Sequence, residues 1–192
     1  MKTVILPALR LLLVMTVLTG IIYPGVMTLF SMVVFPHQAK GSMIEKNGMV
    51  IGSELIGQAF TGDKYFNSRP SAIGYNPAPS SGTNWGPTDK RMADSVKARA
   101  VQFRIQNSLS AELSVPKEML FASASGVDPH ISPESAMLQI AKVAKARGFD
   151  SVKTELVKQL VGKHIEGPQF GIFGDPRVNV LNLNLALDEL KE

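Results

Sequence analysis

Ser123-Ala124-Ser125-Gly126-Val127-Asp128-Pro129 is the stretch of this chain best equipped for chemistry. Its hydroxyls, its carboxylate and a glycine could hold a small ligand or a partner through Ser123, Ser125, Gly126 and Asp128. The same composition also builds a plain turn, since Gly126 admits left-handed backbone and Asp128-Pro129 starts turns. Connecting loops are commoner than functional ones, so the turn is the simpler reading. Arg69, ahead of Pro70-Ser71, could grip a carboxylate through two parallel N–H bonds or could pin its own loop. Gly57 to Lys64 reads G-x-x-x-x-G-D-K. A phosphate-cradling loop needs lysine where Asp63 stands, and a carboxylate there would repel a phosphate. His37, His130 and His164 are too scattered to suggest a metal site, and His130 fits a surface or capping role. Neither H-E-x-x-H nor G-x-S-x-G occurs, and the letters around Thr61-Gly62-Asp63-Lys64 fall in the wrong order for a phosphorylated pump aspartate. With no cysteine the chain has neither a thiolate nucleophile nor Cys-ligated zinc. No catalytic constellation and no metal site is expected.

The elements that would carry these residues begin with an apolar rod. Leu11 to Phe35 holds 25 residues without a charge. As a helix this is roughly 37 Å long, enough for the ~30 Å of bilayer hydrocarbon. It is too long for the apolar part of a cleaved signal, and His37-Gln38-Ala39 is a poor cleavage site. A retained anchor is expected, with residues 1–10 in the cytoplasm, 11–35 in the membrane and 36–192 forming one extracytoplasmic soluble domain. Lys2 and Arg10 supply the basic flank that sets this orientation. Inside the span Pro24-Gly25 marks a kink, and Thr16 and Gly20 form a small-residue face on which another helix could pack.

The body is long enough for one real core. Setting Lys2 and Arg10 aside leaves 18 basic against 16 acidic residues, too near balance to favour nucleic acid. Asn47-Gly48 between apolar pairs predicts a hairpin, and Val50 to Phe60 reads as extended. Residues 67–87 form a long Pro/Gly/Ser-rich loop carrying Tyr75, Asn84 and Trp85. Its aromatic residues argue against plain disorder and for an ordered docking surface, the alternative being a mobile surface loop. Thr88-Asp89 starts a helix bearing Met92, Val96 and Phe103. Ser132-Pro133-Glu134 starts a second, burying Ala136, Ile140, Val143 and Ala144 and closing at Gly148. Asp150 caps a third, with Val152, Leu156 and Leu160 expected inside and Gly162 at its end. Val178-Asn179-Val180 is extended, then Leu183, Leu187 and Leu190 recur at helical spacing. The fold class expected is α+β: a single N-terminal transmembrane helix followed by a mixed α/β domain.

Five stretches occur together in order behind the rod: Gly52 to Gln58, Tyr65 to Ala72, Tyr75-Asn76-Pro77 with Ser81 to Asn84, Ser123 to Ser132, and Val178 to Asp188. In this the chain resembles the C subunit family of the bacterial Kdp potassium-transporting ATPase, from the rod almost to the C-terminus. Asn182 departs from the acidic residue of that pattern. The resemblance implies a non-catalytic accessory subunit of a high-affinity, ATP-driven potassium uptake complex in the bacterial plasma membrane. It implies a channel-like A subunit, an ATP-hydrolysing P-type B subunit and a small F subunit as partners. It also implies a part in assembly and a catalytic-chaperone role that raises the B subunit's affinity for ATP. A comparison with the ABC-transporter signature implies a nucleotide contact through Ser123 to Asp128 and Gln139. ATP would reach this chain only through the B subunit, and an outward-facing body opposes such contact. Thr16, Gly20, Arg69, Tyr75, Asn84 and Trp85 are the expected partner-facing residues. A nucleotide-binding regulator and a membrane-anchored envelope enzyme are the alternatives.

Overall fold

A computed structural model describes residues 2–190. The chain divides into two compact units, one ending at Ser53 and the other beginning at Glu54.

The first unit is dominated by one long helix in three parts. α1 (Lys2–Val17) passes through a π-helical turn (Leu18–Ile22) into α2 (Tyr23–Val34). Pro24 explains the widened turn. Its ring would collide with the carbonyl four residues back, and it has no N–H to offer that carbonyl. The backbone relaxes instead to a five-residue step, in which the Tyr23 N–H bonds Leu18 O. The expected kink is thus a local change of helical pitch. Thr19 and Thr28 return their hydroxyls to the carbonyls of Met15 and Pro24, at 2.6 and 2.8 Å. Val4–Val34 is long and apolar enough to cross a membrane, and none of it is buried within the chain. Beyond Arg10 the helix carries no charge on any side, and such a helix needs lipid or other helices around it. After the short α3 (Pro36–Ala39), β1 (Met43–Lys46) and β2 (Met49–Ser53) form the expected antiparallel hairpin. Asn47 and Gly48 both take left-handed backbone, at φ 54° and 75°, as a two-residue hairpin turn demands.

The second unit packs helices against a small sheet. α4 (Lys90–Gln106) and the short α5 (Lys117–Leu120) precede β3 (His130–Ile131) and α6 (Pro133–Ala146). α7 (Ser151–Lys163), β4 (Ile165–Glu166), β5 (Arg177–Asn179) and α8 (Val180–Glu189) follow. The sheet order is β3-β5-β4, antiparallel throughout. The expected caps are in place. Asp89, Ser132 and Asp150 each accept a hydrogen bond from a first-turn N–H, and Gly148 closes α6 with φ 65°. Phe66, Ile131, Val143, Val157, Val161, Val178, Val180, Leu183 and Leu187 form the centre of the core.

One face differs from expectation. On α7 it is Val157 and Val161 that are fully buried, while Val152 and Leu156 are exposed and Leu160 is only partly buried. Both sets recur at i, i+4, so helical spacing alone does not choose between them. Contact with α6 and α8 chooses. Nor does Gly162 end α7, which runs on to Lys163. The extended stretch expected from Val50 stops at Ser53.

Candidate docking surface

The long loop holds no regular structure between Pro70 and Pro87, yet it is tied down along its length. At its start two side-chain amides act as strand neighbours. Asn184, on α8, accepts from the Phe66 N–H and donates to the Phe66 carbonyl, both at 2.9 Å. Gln139, on α6, accepts from the Asn67 N–H at 2.7 Å and donates to the Asn67 carbonyl at 3.1 Å. Consecutive residues are thus clamped by opposite helices, which satisfies backbone groups that no sheet reaches. Both amides are buried, Gln139 completely. Lys142, one turn further along α6, sends its ammonium to Asn67 Oδ1 and, at 3.5 Å, to Gln139 Oε1. Burial pushes the Lys142 pKa down to about 8, against a smaller opposing pull from Asp63.

Further along, the loop meets the Ser123–Asp128 turn. Arg69 Nη1 donates to Asp128 Oδ2 at 2.8 Å, and Asp128 Oδ1 accepts from the His130 N–H at 2.9 Å. Burial, with the Arg177 charge second, holds His130 below its ordinary pKa, so the half-buried ring of β3 stays neutral near pH 7. Tyr75 takes left-handed backbone, and its N–H bonds Ser71 Oγ. Its hydroxyl donates to the Arg69 carbonyl. Burial raises the phenol's pKa, which keeps that donor protonated. The Ser123 N–H bonds Pro70 O at 3.0 Å, and Ser80 Oγ donates to Ser125 O at 2.8 Å. Gly126, at φ 72°, lies so close to the loop that a Cβ there would stand 2.5 Å from Ile73 Cγ1 and 2.8 Å from Ser81 O. Gly57 makes the same kind of approach on the other side. Its N–H bonds Val127 O at 2.7 Å, and a Cβ would fall 2.5 Å from Asp128 O.

Arg69, Tyr75, Ser123, Ser125, Gly126 and Asp128 are therefore brought into one assembly, with Gln139 clamping its entrance. Asn84 stands apart, exposed with φ 52°, and half-buried Trp85 lies under the Arg91 guanidinium at 5.7 Å. Thr16 lies in α1 and Gly20 in the π-helical turn, where a Cβ on Gly20 would meet nothing within 4 Å. Asn67, Asn184 and Lys142 escaped the sequence reading. Asn184 lies within Val178 to Asp188, but nothing local shows that its amide serves residue 66. Between the loop and α4 lies a cavity of about 400 Å³ lined by Asn67, Arg69, Tyr75, Arg99 and Gln102 among others. Among the described residues no group of three or more His, Asp or Glu side chains gathers in a metal-binding arrangement.

The fold and this surface define a class: a single apolar helix joined to a mixed α/β body that presents a braced, irregular loop face. Comparison with known proteins makes the class specific. The family model KdpC, described as the c chain of the K+-transporting ATPase, matches residues 5–189, and the chain belongs to that family. A potassium-transporting ATPase KdpC subunit of Burkholderia orbicola is 50% identical over 193 residues, covering 98% of this chain and 97% of its own. Its counterpart in Rhodopseudomonas palustris is 48% identical, covering 96% of this chain and 97% of its own. That of Dechloromonas aromatica is 45% identical over the full length of both.

Proposed function

We propose that the chain is an accessory, non-catalytic subunit of a potassium-transporting ATPase, held in the membrane by its single helix with the body on the extracytoplasmic side. The observation that carries this reading is how the site's polar groups are used. Gln139 is fully buried with both ends of its amide on Asn67, and Asp128 holds Arg69 and the His130 N–H. Gln139 and Asp128 thus use their hydrogen bonds within the fold and build a surface, although Ser68 Oγ and Arg69 Nε beside them are buried without a partner among the described residues. The braced loop face then serves to clamp extracytoplasmic loops of the channel-like A subunit near the ion entrance, while the helix packs against that subunit's helices. Hydrolysis belongs to the B subunit, the small F subunit completes the complex, and potassium is coordinated by a partner's oxygens. A catalytic-chaperone effect on ATP affinity is, in this reading, transmitted through subunit contacts and not made by a nucleotide resting on Ser125 or Gln139. Lys2 and Arg10, both within α1, lie ahead of the uncharged span 11–35 and favour a cytoplasmic N-terminus.

The side of the membrane decides between this reading and direct nucleotide binding. Ser125 is exposed and the chain has no cysteine, so Ser125→Cys creates a unique handle. In intact cells whose outer envelope admits the reagent, a membrane-impermeant maleimide is expected to label it rapidly. Protection that lifts only when the inner membrane is opened would place Ser125 in the cytosol and refute the proposal.

A further inference from the structure

The turn joining β4 to β5 displays its apolar residues outward. Phe170, Ile172 and Phe173 are 85%, 78% and 66% exposed. The segment is not a loose coil. Gln169 and Phe173 exchange two backbone hydrogen bonds, at 2.8 and 2.9 Å, and the Gly171 N–H bonds Pro168 O at 2.9 Å. Phe170, Gly171 and Gly174 hold left-handed backbone at φ 56°, 74° and 83°. A bulky residue adopts that region only against steric cost. At the base, Ile165 pairs with Val178, and Arg177 Nε meets Glu166 Oε2 at 2.9 Å. The result is a rooted, convex finger with three large apolar side chains at its tip.

We propose that this finger is a docking peg that seats in a concave apolar pocket on a fellow subunit of the same complex. The inference rests on the accessory-subunit reading and names the contact through which the body is held. Two other occupants fit the observations less well. Surface attachment to lipid relies on basic residues beside the apolar ones. From Gly167 to Pro176 the only charge is Asp175, and the Arg177 charge is met by Glu166. A second copy of the chain fits poorly on area. The three side chains offer roughly 400 Å², half of the ~800 Å² that each partner of a stable interface contributes. A convex tip is also not complementary to itself, as a two-fold interface requires. What suits the finger is a pocket larger than itself, within a wider contact. Its rigidity lowers the ordering cost of docking, and buried aromatic residues near the centre of an interface carry much of its energy.

The test uses the full-length chain produced together with the pump's other subunits. Phe170→Ser combined with Phe173→Ser is expected to lower recovery of the assembled complex at least tenfold, with the isolated variant unfolding at the same midpoint as the unaltered chain. In parallel, Ile172→Cys carries an environment-sensitive fluorophore. Its emission is expected to shift to the blue in the complex, and not with phosphatidylglycerol or phosphatidylcholine vesicles or at high concentration of the chain alone. Assembly of the double variant at full yield, a blue shift on vesicles, or one on self-association would each overturn the peg. Failure of the unaltered chain to assemble is a different result. It would remove the accessory-subunit reading, and the peg with it.

Discussion

Replacing Gln139 by Ala tests the clamp directly, and removes with it the 3.5 Å contact from the Lys142 ammonium. The substitution removes an acceptor at 2.7 Å from the Asn67 N–H and a donor at 3.1 Å from its carbonyl. Each orphaned backbone group costs about 1–3 kcal/mol if water does not replace the partner. The lost methylene adds about 0.8 kcal/mol. Asn67 is half-buried, so water recovers part of the loss. A net destabilisation of roughly 3 kcal/mol follows, a large share of the ~5–15 kcal/mol that holds a domain folded. In urea, with a slope of about 1.5 kcal/mol per molar, the midpoint should fall by about 2 M with the slope unchanged. Trp85 is the only tryptophan and lies in the clamped loop, so its fluorescence in detergent-solubilised full-length chain reports the transition. Asn184→Ala should act similarly by freeing Phe66, and the double variant should be non-additive, because the two amides hold consecutive residues. A loss below ~1 kcal/mol for Gln139→Ala, coupled to a loss of ATP response in the assembled pump, would refute the clamp and restore the nucleotide reading.

Lys142 supplies a prediction in pH. Its pKa is about 8 in the fold against 10.5 when free. Below pH 8 both states carry the proton and the burial penalty is constant. Between the two values the unfolded chain binds more protons, so stability rises with pH, by up to about 3 kcal/mol at ~1.4 kcal/mol per unit. Lys142→Met should flatten the rise in unfolding midpoint between pH 7.5 and 10; an equally steep rise in the variant would assign it to other groups. Gly126→Ala should cost roughly 3 kcal/mol, from left-handed backbone and overpacking against Ile73 and Ser81, and should speed proteolysis within 67–87. Gly148→Ala, at φ 65° with nothing within 4 Å of a Cβ, isolates the backbone cost and should lose only about 1 kcal/mol. Equal losses at the two glycines, read by thermal unfolding, would mean that the close approach of loop and turn is not there.

What the sequence made legible was local. The Asn47-Gly48 hairpin, the caps at Asp89, Ser132 and Asp150 and the closure at Gly148 each depend on residues within five positions of one another. The irregular loop was legible too, because Pro70, Pro77, Pro79 and Pro87 with Gly74, Gly82 and Gly86 leave no regular element possible there. The amide clamps were not, because they join residues 72 and 118 positions apart. Gln139 and Asn184 look in sequence like any polar residue on an amphipathic helix. The wrong face of α7 has the same origin, since only the neighbours α6 and α8 distinguish Val157 and Val161 from Val152 and Leu156. The finger went unnoticed because Phe170, Ile172 and Phe173 match neither helix nor strand periodicity. Its signal was negative: three large apolar residues between Pro168 and Pro176, where no core element could take them.

The stretches that carry the family resemblance meet in space. The Gly57 N–H bonds Val127 O, Asn179 Nδ2 bonds Glu54 O, Asn184 clamps Phe66, Ser123 bonds Pro70, and the Val180 N–H bonds Pro129 O at 2.9 Å. Four of the five stretches meet in these bonds, and the Tyr75 hydroxyl ties the fifth to the Arg69 carbonyl. A ligand site would leave polar groups converging on a space, and among the described residues of these stretches Ser68 Oγ and Arg69 Nε, beside the cavity next to α4, are left buried without a partner. The other hydrogen bonds run between the stretches, and glycines stand where the backbones come closest. Such an arrangement specifies shape: it fixes how an irregular loop lies on the helices. If shape is the product, conservative changes at Ser125 that keep the turn should leave pump assembly intact, whereas Gly57→Ala, which pushes against Asp128 O, should weaken assembly and fold together.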